Sequence, residues 1–72
     1  MSNRNIIGSN VRLLRKRLGI TQEDLAARLN ILEIDIDRPM ISKIENNSRE
    51  VLDYEVKALA IALKVSINDL FK

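Results

Sequence analysis

Arg38, Ser42, Lys43 and Asn46 surround two isoleucines, Ile41 and Ile44, within a single short stretch. At 3.6 residues per turn the isoleucines share one helix face and the four polar residues project from the other. Arg and Lys can donate to guanine O6 and N7, Ser to either base edge, and Asn to adenine. Pro39 can offer only apolar contact, for instance to a thymine methyl. The same side chains would also serve as the wet face of an ordinary surface helix, so this stretch alone leaves both readings open.

The rest of the composition removes most other chemistry. The chain has 72 residues, with Cys 0 and His 0. Disulfides, zinc fingers, Cys or His nucleophiles and imidazole acid–base catalysis are therefore excluded. There is no Gly-rich phosphate loop, and most carboxylates sit at helix starts, where capping explains them. No catalytic residue, metal site, cofactor or small-molecule ligand is expected, and the chain does not read as an enzyme. Aromatics are 3%, too few for a stacking platform on single strands. No apolar run approaches the roughly 18 residues that span a membrane. A cytoplasmic protein is the expectation, forming one domain over residues 1–72 with no separate ligand-sensing part.

Net charge is +2, but the charge is segregated. Arg4, Arg12, Arg15, Lys16 and Arg17 precede the first acid, whereas Glu33, Asp35 and Asp37 cluster mid-chain. This is compatible with a polyanionic partner or with a solvated helix face.

Helical spacing runs through nearly the whole sequence. Ile7, Val11, Leu14 and Leu18 predict a first helix over about residues 5–18, closed by Gly19. Arg12, Lys16 and Arg17 lie on its opposite face. Thr21 predicts an N-cap, with Glu23 and Asp24 in the first turn where the helix dipole favours them. Leu25, Ala26, Leu29 and Leu32 then form the stripe of a second helix, from Gln22 to roughly Leu32. The alternation over residues 33–37 reads as a loop that tucks Ile34 or Ile36 into the core. Asp37 caps a third helix, Arg38 to about Asn46, with Pro39 in its first turn. Asn47 is the residue best suited to end it at positive φ. Asp53 is expected to cap a fourth helix, Tyr54 to Leu63, with Val56, Leu59, Ala60 and Leu63 inward. Ser66 and Asp69 predict a capping box on a short fifth helix, with Ile67, Leu70 and Phe71 as its buried side. The expected fold class is all-α, a compact bundle of five short helices.

Five blocks resemble one family in their order and spacing: Gly8; Val11-Arg12-Leu13-Leu14-Arg15; residues 18–26, with Thr21-Gln22-Glu23 at their centre; Ile41-Ser42-Lys43-Ile44-Glu45-Asn46; and residues 59–70. The sequence is similar to the phage repressor/Cro-like, or XRE-like, helix-turn-helix family of DNA-binding regulators, over about Ile6 to Phe71. The resemblance implies a lambda-repressor-like fold with its third helix in the major groove of double-stranded DNA. It implies a phosphate contact for Gln22 and base contacts for Arg38, Pro39, Ser42 and Lys43. It implies backbone contacts for the turn Asn46, Asn47, Ser48 and Arg49, and an ion pair between Arg15 and Glu45.

Two features depart from the family pattern. The connection over residues 30–35 is longer than usual, and is expected to extend the second helix by a turn before returning as a loop. Its acids should keep the loop tip away from phosphate. Asn47 stands where the family generally has Gly, a change that the same backbone tolerates at small cost.

The function implied is a sequence-specific transcriptional regulator, a repressor in the simplest case, acting as a homodimer on DNA. The alternative from another class is a protein-interaction module, such as an antitoxin or adaptor. Leu13, Leu52, Ile61 and Phe71 are candidates for an exposed apolar patch, which would mark either a partner or a second copy.

Overall fold

The computed structural model describes residues 5–72, and five helices follow one another there: α1 Gly8–Leu18, α2 Gln22–Ile31, α3 Arg38–Glu45, α4 Asp53–Leu63 and α5 Ile67–Leu70. No strand occurs among the described residues. None of these helices is long and apolar enough to cross a membrane. Helix α1 packs on α3, α4 and α5, while α2 packs on α3 and α4. Ile7, Val11, Leu25, Leu29, Ile36, Ile41, Ile44, Leu59, Leu63 and Leu70 close the core between them.

Local signals set most boundaries. Gly19 ends α1 in the left-handed region at φ 76°. Thr21 and Asp24 make a reciprocal capping box at the start of α2, each side chain accepting the other's backbone N–H at 3.0 Å. The Thr21 amide, and after it the Thr21 hydroxyl, hold the Asp24 carboxyl below its usual range. Asp37 caps α3 by accepting the Met40 amide, and Ser66 with Asp69 caps α5. Asn47 sits at φ 63°.

Four expectations are corrected. Helix α1 starts at Gly8, not residue 5, because the side-chain Oδ1 of Asn5 accepts the Ile7 and Gly8 amides and holds that segment in a turn. Leu32 is 36% exposed rather than part of the stripe, since α2 ends at Ile31 and Glu33 reverses the chain at φ 65°. The extension beyond Leu29 is thus two residues, less than a turn. Leu52, not Asp53, is the N-cap of α4. The Glu55 carboxylate takes the Leu52 amide at 2.9 Å, which fixes that register; Asp53 accepts only from its neighbour Tyr54. In α5 a single turn buries one side only, so Leu70 is enclosed while Ile67 and Phe71 stay about half exposed.

Glu55 is buried and also accepts two bonds from Arg49, at 2.9 and 2.8 Å. Burial alone would raise its carboxyl, but the Arg49 bonds, the Leu52 amide and the Arg49 charge outweigh it and hold it below the usual value of 4.5. A lowered folded value means that the unfolded chain binds the proton first as pH falls. This stabilisation is therefore complete above about pH 4.5 and is lost as pH drops through the lowered value. Urea midpoints measured from neutral pH downward should fall there, and Glu55→Gln should flatten that fall while lowering the neutral-pH midpoint.

Candidate nucleic-acid interface

The α2–turn–α3 unit is fixed to α1 by a buried ionic cluster. Arg15 is 8% exposed and Glu45 7%. Arg15 Nε donates to Glu45 Oε2 at 2.7 Å and Nη2 donates to Oε1 at 3.1 Å. Arg15 Nη1 donates to the Ile20 carbonyl at 2.9 Å, which ties the pair to the turn before α2. The Glu45 hydrogen bonds hold the Arg15 guanidinium above even its ordinary high value, against the opposing effect of burial. The ion pair expected from the resemblance is therefore present as a bidentate contact.

Gln22, at the first position of α2, joins this cluster by donating Nε2 to Glu45 Oε1 at 3.1 Å. The bond orients the Gln22 amide from the α3 side. Gln22, Ser42 and Asn46 line one cleft with Arg12 and Glu45. Arg38 lines the adjoining cleft with Gln22 and the turn residues Gly19 to Thr21. The start of α2 and the outer face of α3 thus form a continuous surface. Arg38, Pro39, Lys43 and Asn46 are exposed on it, and Ser42 is half-buried.

After α3 the chain turns tightly. Asn46 Oδ1 accepts from the Ser48 amide at 3.1 Å and also from the Ser48 hydroxyl. Asn47 supplies the positive φ. Arg49 follows, but its two terminal nitrogens are held by Glu55, which fastens the turn to α4. That pairing raises the Arg49 guanidinium further. It joins residues across a turn with no helical spacing between them, so periodicity carries no sign of it. Sequence reasoning also missed Asn5, whose Nδ2 donates to the Ile44 carbonyl at 2.8 Å and anchors the C-terminal end of α3. Among the described residues no buried side-chain nitrogen or oxygen lacks a partner.

This is the geometry of two helices, the second presenting a polar face, braced by a first. A family model described as helix-turn-helix matches residues 11–70. The chain belongs to the helix-turn-helix family. Its fold is similar to the crystal structure of the restriction-modification controller protein C.AhdI from Aeromonas hydrophila, with TM-score 0.82 and 29% identity over 96% of this chain and 93% of that one. No curated protein matches the chain. As a helix-turn-helix protein with such a neighbour, it is a DNA-binding transcriptional regulator.

Proposed function

We propose that this helix-turn-helix protein recognises a specific operator by laying α3 in the major groove, and that it represses by occupying a promoter. The observation that carries this is the polar face of α3, braced from beneath by the Arg15–Glu45–Gln22 cluster. Arg38 and Lys43 are the base readers, both long, exposed and without a carboxylate partner among the described residues. Ser42 reads at closer range, and Pro39 offers an apolar edge. Gln22 and the turn Asn46, Asn47 and Ser48 hold the backbone. Arg49 reaches phosphate only alongside its bond to Glu55, so its main part is to fix that turn. One domain spanning residues 1–72 does this in the cytoplasm, with no catalytic step, cofactor or metal.

The roles separate experimentally. Lys43→Ala should cost about 1–3 kcal/mol on the preferred site and relax preference at one base pair. Gln22→Ala should weaken all duplexes by a similar factor. Fluorescence anisotropy on the selected site and on a scrambled duplex reads both. Equal losses on the two duplexes for both variants would remove this division of roles.

The regulator works as a homodimer on a palindromic site. One domain reads few base pairs, and a two-fold pair of domains places its recognition helices about 34 Å apart. Leu52, Ile61 and Phe71 are 39%, 54% and 51% exposed and supply the apolar contact. Sedimentation of the protein with its best palindrome should give two chains per duplex. A one-to-one complex would remove the dimer and leave DNA binding standing.

A further inference from the structure

Helix α1 carries cations on two different sides. Arg12 lines the cleft shared with Gln22, Ser42, Glu45 and Asn46, and a second one with Lys16 beside it. Arg17 lies about 140° further round the helix, at about 100° per residue. It lines a separate groove with Lys64 and Lys72, between α1 and the C-terminal end of the chain.

Arg12 and Lys16 are exposed and make no ion pair among the described residues, whereas Arg15 and Arg49 each have a carboxylate. Glu45 accepts from Arg15 and Gln22, and no ion pair joins it to Arg12 among the described residues. A free guanidinium therefore stands at the mouth of a cleft that also holds the Gln22 amide and the Ser42 hydroxyl. Three elements contribute hydrogen-bond donors to one point, next to the face that would enter the groove. Donors of this kind, led by a planar guanidinium, suit a backbone phosphate.

We infer that Arg12, with Lys16 one turn on, binds backbone phosphate and carries the DNA interface onto α1. The inference rests on the placement of α3 in the major groove. Its consequence is that the strand beside α3 runs along the Arg12–Lys16 side of α1, while the Arg17 side of the same helix faces away from DNA.

The salt dependence of binding tests this. The probe is a fluorescein-labelled duplex of mixed sequence, followed by anisotropy from about 50 to about 200 mM salt. The slope of log affinity against log salt should become shallower by about 0.9 in Arg12→Gln, the share of one neutralised phosphate. Arg12→Lys should keep the slope, because the charge remains in place. Arg17→Gln removes the same charge from the same helix, and should leave the slope as in the parent protein. An unchanged slope in Arg12→Gln would overturn the inference. So would an equal loss in Arg17→Gln, since net charge alone would then explain the effect. A parent slope near zero would remove the DNA reading itself, and the Arg12 assignment with it.

Discussion

Glu45→Ala is expected to lower the free energy of unfolding by about 3–5 kcal/mol, the usual cost of removing one partner of a buried ion pair. The loss is large because Arg15 stays behind, 8% exposed, with a bidentate partner gone. A domain of this length has only about 4–11 kcal/mol in total. Urea unfolding followed by circular dichroism gives the number. A loss below about 1 kcal/mol, typical of a surface pair, would show the pair to be effectively solvated. The double replacement Arg15→Met with Glu45→Leu should recover much of the stability, because two apolar side chains leave no buried charge. It should not recover DNA affinity, since the carboxylate that orients Gln22 is still missing. Stability and binding would then separate within one pair of variants.

Gly8→Ala should destabilise by about 3 kcal/mol, the upper part of the range for overpacking. Helix propensity alone argues the other way, because alanine is favoured over glycine inside a helix by about 1 kcal/mol. Sterics decide the sign. A Cβ at Gly8 would stand 2.1 Å from the Ile44 carbonyl oxygen and 2.2 Å from Asn47 Oδ1. The first contact is backbone, at the C-terminal end of α3, and it cannot yield without moving that helix. The same carbonyl accepts the Asn5 side chain, so the substitution would disturb that bond too. Thermal melts should show the drop, and operator affinity should fall with it. A melting temperature equal to or above that of the parent would mean that α1 and α3 can separate freely at this point.

The elements that the sequence revealed are those with local causes. Thr21, Asp37 and Ser66 cap helices through bonds that span three residues, and Gly19 and Asn47 hold conformations that suit their own side chains. Ile41 and Ile44 declare the inner face of α3 by spacing alone, and Arg38 and Lys43 fall on the outer side as a result, while Glu45 is buried by its pairing with Arg15. What stayed hidden depends on partners distant along the chain. Asn5 looks like the start of a helix until its bond to Ile44 is seen. Asp53 looks like a cap until Glu55, held by Arg49, sets the register one residue earlier. Ile67 and Phe71 read as core because apolar residues usually are, but the fifth helix is too short to enclose them. Arg12 is one of several α1 cations in the sequence, and only the packing of α1 on α3 shows which side it takes.

Three fastenings hold α3 to α1 and the segment before it: the Asn5 bond to Ile44, the close approach at Gly8, and the Arg15–Glu45 pair. Each is buried, and each would have to break for α3 to rotate or slide. A ligand shifts a conformational equilibrium only where a second arrangement lies within a few kcal/mol of the first. Breaking all three buried contacts together would cost a large share of the stability of a domain this small. An inducer that moved α3 would have to supply that energy through its differential affinity for the two arrangements. Occupancy of its DNA then follows the concentration of folded chain, and synthesis and degradation become the variables through which a cell sets it.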